Sequence, residues 1–197
     1  HQYVMQSGIP SRSIEAAPDQ IDLSSSYNQA LIQTPYRLRT QNNNADRTWN
    51  RLPIGLVSID DVLFDVRGMV RLGGGIFANK EFPAPVPRKV SDIGVNRTAE
   101  YVHFLHNVAA ETTRRTPRGE VVGYYTLTYE DNEQVRLPIR YGKDVIPWVF
   151  NSFVKPTRAA VGCAEGHYQS HKTLCHSIWE NPRPEARSEE HTSELQS

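Results

Sequence analysis

The sequence predicts an all-β fold, a β-sandwich of the jelly-roll kind. Three observations carry this. No apolar pattern with a helical period runs beyond about two turns. Short segments instead alternate apolar and polar residues, the period of a half-buried strand. Turn-forming residues separate them at roughly 8–20-residue intervals, a rhythm typical of sandwiches and jelly rolls.

The elements follow in chain order. Residues 1–20 contain Pro and Ser without a clean period and read as an incoming linker. Ile21–Thr34 opens with Asp22 and Ser24–Ser26, which predicts a turn and then a short strand. Residues 35–53 are polar, include Asn42–Asn44, and read as a solvated loop carrying Trp49. Ile54–Ser58 is β-branched and short. Val62–Leu72 alternates, with Phe64, Val66, Gly68, Val70 and Leu72 on one parity and Asp65, Arg67, Met69 and Arg71 on the other. Gly73–Gly75 ends it, and residues 76–98, with Pro83, Pro85 and Pro87, read mostly as loop.

Glu100–Val108 alternates again. Val121–Tyr129 and the segment from Val135 to Tyr141 form the clearest hairpin, joined through Glu130–Glu133. Pro138 lacks a ladder donor, which places its strand at an edge. Tyr141–Asp144 is a further turn, followed by the aromatic stretch Trp148–Phe150. Arg158–Cys163 and Thr173–Trp179 are the last two predicted strands.

The chain has 197 residues, which fits one domain of roughly 100–200 residues. Its mean hydropathy is −0.56, and 38% of residues are hydrophobic, a polar but foldable composition. No run approaches the roughly 18 apolar residues of a membrane span. The balance of 22 basic and 22 acidic residues argues against a general nucleic-acid binder. The chain starts with His, not Met, which marks it as a fragment and makes the lack of a signal peptide uninformative about a parent protein.

The ending Arg187–Ser197 reads like the translation of a short-read sequencing adapter and has nothing apolar to bury. Setting it aside leaves 21 basic and 19 acidic residues, a net charge of +2. The natural sequence then stops near Ala186, and the domain, residues 21–186, is expected to lack its last strand.

Several segments, in order, resemble one family. They are Ile21-Asp22-Leu23-Ser24 with Tyr27-Asn28, Phe64-Asp65-Val66-Arg67-Gly68, and His103-Phe104-Leu105-His106. Val122-Gly123-Tyr124-Tyr125 follows, then the run from Leu137 to Val145 with Trp148, and finally Trp179-Glu180-Asn181-Pro182-Arg183-Pro184. Together they are similar to a bacterial jelly-roll domain, galactose-binding-like in general architecture, found beside glycan-active or regulatory modules. The resemblance spans roughly residues 21–184. It implies a non-catalytic accessory domain of a larger protein, with a glycan and the neighbouring domains as partners. In the family the pattern continues past the Asn-Pro-Arg-Pro element into one more strand, whose absence here would expose a sheet edge.

Sugar rings stack on aromatic faces while amide and guanidinium groups bind hydroxyls. The candidate ligand-binding residues are therefore Tyr27, Asn28, Trp49, Arg67, His103 and Trp148. Each has a structural alternative. Arg67 with Asp65 fits an internal ion-pair network, and Trp148 fits core packing. His103 and His106 differ in parity and face opposite ways on a regular strand, so at least one is expected to be a structural histidine.

Cys163, His167, His171 and Cys175 recur every four residues, which suits zinc only on a helix; Gly162 and Gly166 argue against one. A disulfide between the cysteines is the second option, and two free thiols the default. No cofactor and no metal is expected. Gly73–Gly75 lacks the Lys-Ser/Thr of a phosphate loop. Asp60, Asp61, Glu130 and Asp131 fall in predicted turns and do not form an acid–base pair. An extracytoplasmic location follows if the glycan reading holds. The alternative is a structural or protein-interaction spacer without a glycan ligand.

Overall fold

The computed structural model describes residues 8–31, 54–73, 86–108, 116–146, 149–150, 160–163 and 171–195. The described part is all-β. Twelve strands form four antiparallel sheets, with no helix among the described residues. The chain divides into two compact units, residues 1–90 and 91–196, where length alone counts one domain.

The first unit holds β1 (Gln29–Ala30), β2 (Gly55–Ile59), β3 (Val62–Val66) and β4 (Gly68–Met69). β2 and β3 form a hairpin in which Ile59 faces Val62. Its two-residue turn is Asp60-Asp61, both at positive φ, 48° and 63°. That backbone matches the strand twist, and Asp tolerates it better than most residues. β1 pairs with β4. Tyr27, Ala30, Leu31 and Ile59 are buried here.

The strand expected over residues 62–72 is interrupted at Arg67, between β3 and β4, and burial does not alternate along it: Leu63 and Arg67 share the polar parity of Asp65. Arg67 is only 3% exposed, while Leu63 is 44% exposed. A guanidinium can be buried when carboxylates surround it, and the residues that surround Arg67 come from elsewhere in the chain.

The second unit contains two four-stranded sheets. One has the order β5-β12-β7-β8, made of Lys89–Arg97, Ser188–Leu195, Val121–Tyr129 and Gln134–Arg140. The other has β11 (His171–Glu180) between β10 (Ala160–Cys163) and β6 (Tyr101–His106), with β9 (Val149–Phe150) also on β11. The sheets face one another through Phe104 on β6 and Tyr125 on β7, stacked with ring centroids 4.1 Å apart. Ile93, Val95, Leu127, Tyr129, Leu137, Val145, Ile146 and Leu174 make up most of the buried apolar set.

Pro138 sits opposite Tyr124 on β8, and β8 ends the sheet order, so the missing donor faces away from the ladder. Leu137 is buried between exposed Arg136 and exposed Pro138, as the alternation predicts. The loop expected over residues 76–98 is corrected at its end: Lys89–Arg97 is β5. Ile93 and Val95 are buried between exposed Asp92, Gly94 and Asn96. The preceding prolines and the internal Asp, Gly and Asn mask this short period. Asp92 and Asn96 both take positive φ, at 62° and 50°.

The ending read as having nothing to bury is also corrected. Ser188–Leu195 is β12, lying between β5 and β7. Its register sets Thr192 opposite Thr126 and Ser193 opposite Tyr125. Ser188 and Ser193 are buried. A ladder is built from backbone groups, so a polar segment can occupy a strand position without an apolar stripe. The last strand expected to be missing therefore has an occupant.

Candidate functional site

Tyr27, Asn28 and Arg67, three of the candidate residues, come together in the first unit. Asp22 opens the turn before β1, and its Oδ1 accepts from the Ser24 amide. Arg67 follows β3. Its Nε donates to Asp65 at 2.7 Å, and its Nη2 donates to Asp22 and to the Ser24 hydroxyl, both at 2.9 Å. Its Nη1 reaches the Pro10 carbonyl at 3.3 Å. Burial opposes ionisation of Asp22, but the hydrogen bonds from Ser24 and Arg67 prevail and hold its carboxyl below the usual range.

The Tyr27 ring lies beneath Arg67, 5.4 Å from the guanidinium carbon, and is 6% exposed. Asn28 uses its whole side-chain amide on one backbone unit: Nδ2 donates to the Arg71 carbonyl, and Oδ1 accepts from the Arg71 amide, each at 2.7 Å. The expectation that Tyr27 offers a stacking face is corrected, because that face is buried. Arg67 and Asn28 hold the chain to itself. Trp49 and Trp148 lie outside the described residues.

The second cluster lies on β6 and β11. His103 and His106 do face opposite ways. His103 Nδ1 is 2.9 Å from His176 Nε2, with the rings stacked at 5.2 Å. Burial, then the neighbouring His176, lowers the His103 pKa. His106 points to the facing sheet. Its Nδ1 is 2.9 Å from the Tyr125 hydroxyl, and its Nε2 is 2.8 Å from the Ser177 hydroxyl. Burial pushes its pKa down to about 4, against an ordinary 6.5. It is the structural histidine the parity argument anticipates.

The cysteines are not bridged. Cys163 is level with Lys172 and Cys175 with Ala160, three ladder positions apart. That separation is about 10 Å along the strand, beyond the roughly 7 Å limit for a disulfide. Cys175 is a free, buried thiol whose pKa burial raises to about 11. Among the described residues, no three His, Cys, Asp or Glu side chains converge to hold a metal ion.

The third cluster surrounds the Asn-Pro-Arg-Pro element. Asn181 is 3% exposed. Its Nδ2 donates to the Ala99 carbonyl at 2.8 Å and to the Arg183 carbonyl at 3.1 Å. Its Oδ1 accepts from the Tyr129 hydroxyl and from the Arg183 amide. One amide thus ties residues 99–100 to residues 183–184. Between these segments lies a shallow, open depression lined by Thr98, Ala99, Glu100, Pro184 and Glu185. Beside it, Tyr101 starts β6 with 47% of its surface exposed and stands opposite Glu180 in register.

No protein family matches the chain, and no curated protein or solved structure matches it. The geometry alone therefore weighs the three clusters. In the Arg67 cluster the guanidinium of Arg67 is fully engaged, while Asp65 Oδ1 and Arg12 Nη1 are buried without a hydrogen-bond partner. The histidine cluster bonds strand to strand and sheet to sheet. The depression beside Tyr101 is the open one, and sequence reasoning passed over it. The available signal was small: Tyr101 heads an alternating strand, next to Glu100.

Proposed function

We propose that this chain is a non-catalytic accessory module of a larger bacterial protein, with a jelly-roll, galactose-binding-like architecture, and that it binds carbohydrate. One observation carries the reading: an exposed aromatic ring, Tyr101, directly follows Glu100, which lines an open depression held on one side by the buried Asn181 amide. Sugar C–H faces stack on such rings, and a prearranged surface lowers the ordering cost of binding. The antiparallel sandwich and the ordered resemblance over roughly residues 21–184 support the same class. Glycan binding also argues for an extracytoplasmic location and for neighbouring domains as partners. We further infer that residues 187–197 derive from a sequencing adapter; reading the gene past Ala186 tests this, and the same residues in genomic sequence would refute it.

The function is tested by a glycan array together with polysaccharide pull-down, using the full chain. Retention on at least one glycan is expected, without hydrolysis of it. A flat array and an empty pull-down would leave the spacer reading in its place.

A further inference from the structure

We infer that the slot between β5 and β7, filled in this chain by β12, is a strand-acceptor site. It takes an extended segment of a partner protein whose apolar side chains alternate with polar ones, running antiparallel to β7 in place of β12. This goes beyond the glycan reading and depends neither on it nor on the origin of residues 187–197. Three observations lead to it.

The first is the position of the occupant. β12 is the last element of the sequence, yet it lies inside a four-stranded sheet, between β5 and β7. A terminal strand is tethered at one end only, so it can leave the sheet without any other strand moving. The tether is held in place. The Arg187 carbonyl accepts from the Glu130 amide at 3.0 Å, and the Ala186 amide donates to the Arg183 carbonyl at 3.1 Å. The Asn181 side-chain amide fixes the Arg183 backbone behind them. Beyond Arg187 the segment is held by its ladders with β5 and β7.

The second is a mismatch between slot and occupant. The walls are apolar: Ile93 and Val95 on β5, and Leu127 and Tyr129 on β7, are all buried. β12 sets Ser188 opposite Tyr129 and Ser193 opposite Tyr125, and both serines are buried. Residues directly opposite on an antiparallel ladder share a face, and Tyr125 faces the other sheet, stacked on Phe104. The two serines therefore occupy interior positions, where a hydroxymethyl group buries little apolar surface. The segment also contains Glu189, Glu190 and Glu194, a residue type depleted in strands.

The third is the chemistry of the ladder itself. Its hydrogen bonds join backbone groups, so any extended segment forms them. Occupants differ in the side chains that they press on the interior. The places of His191, Ser193 and Leu195 stand opposite Leu127, Tyr125 and Gly123. Those of Glu190, Thr192 and Glu194 stand opposite Thr128, Thr126 and Tyr124. A partner segment with apolar residues at the first three places and polar ones at the second three matches both faces. In strand addition of this kind the backbone supplies affinity and the alternate side chains supply selection.

The test uses the full chain and a fluorescein-labelled peptide the length of β12. The peptide has Val at the places of His191, Ser193 and Leu195 and Thr or Lys between them. Anisotropy measures binding, and hydrogen exchange read by mass spectrometry locates it. Peptide and protein are incubated for longer than the β12 amides take to exchange, so slow departure of β12 does not hide binding. Saturable binding is expected, with protection lost over Ser188–Leu195 and kept in β7. A peptide with Asp in place of the central Val should bind at least tenfold more weakly. Ser193→Val improves the resident strand, so it should weaken the peptide at least tenfold while circular dichroism shows the sheets unchanged. No saturable binding, binding with β12 still protected, or equal binding of the Asp peptide overturns the inference. A gene that continues past Ala186 into an alternating apolar strand would fill the slot in cis and overturn the partner assignment.

Discussion

At the residue scale, the buried polar groups set the most specific expectations. His106 is bonded to Tyr125 and Ser177 between two sheets, and its burial away from water disfavours the charged imidazolium. Its pKa falls from the ordinary 6.5 to about 4. The unfolded chain therefore binds a proton that the folded chain refuses between these values. Stability is unaffected by this group above about pH 6.5, falls as pH drops from there toward 4, and flattens below. The integrated effect is roughly 3 kcal/mol. His103 adds in the same direction. Urea midpoints measured from pH 7.5 to 4 should show this decline, and His106→Gln should flatten it. A decline of equal size in that variant would assign it to other groups.

Parity alone showed that His103 and His106 face opposite ways and that at least one is structural, without saying which. The partners of His106 were not legible, because Ser177 lies 71 residues away. The same holds for Arg67: its pairing with Asp65 is readable as a local i, i+2 contact, but Asp22 and the Pro10 carbonyl reach it from 45 and 57 residues away.

At the scale of elements, local pattern and turn chemistry identify most strands. The hairpin from Val121 to Arg140, the edge position of Pro138 and the Asp60-Asp61 turn all follow from residue type. β5 escaped because its polar positions carry Asp, Gly and Asn, which also signal loops. β4 is a case where packing, not propensity, chooses the residue. A Cβ placed on Gly68 would lie 2.8 Å from Tyr27 Cγ, so the β1–β4 pairing needs glycine to let the ring sit against the backbone. Gly68→Ala should destabilise the first unit by about 1–3 kcal/mol. Denaturation followed by Trp and Tyr fluorescence measures this. A change below about 0.5 kcal/mol would mean that Tyr27 has room to move aside.

At the scale of the whole molecule, two compact units share the chain, and the second depends on a strand from its far end. β12 lies between β5 and β7, so removing residues 188–197 would leave both neighbours with unpaired backbone groups. Deletion of this segment should cost the second unit its cooperative unfolding transition and raise its binding of hydrophobic dyes. The first unit's Gly68–Tyr27 packing should persist. A deletion variant with an unchanged melting profile would show that the ladder on β7 contributes little.

What the sequence determined by itself is the class of structure and most of its strands. Periodicity, turn residues and proline act over a few positions, and that is the range on which a strand or hairpin is decided. Tertiary structure alone decided what those strands hold together. Tyr27 and Arg67 became interior, Asn181 became a brace between two segments, and Tyr101 was left exposed beside an open depression. The polar ending became a central strand. Each of these outcomes depends on contacts between residues far apart in the chain, where the free energy of burying a group is set by partners that its own neighbours do not reveal.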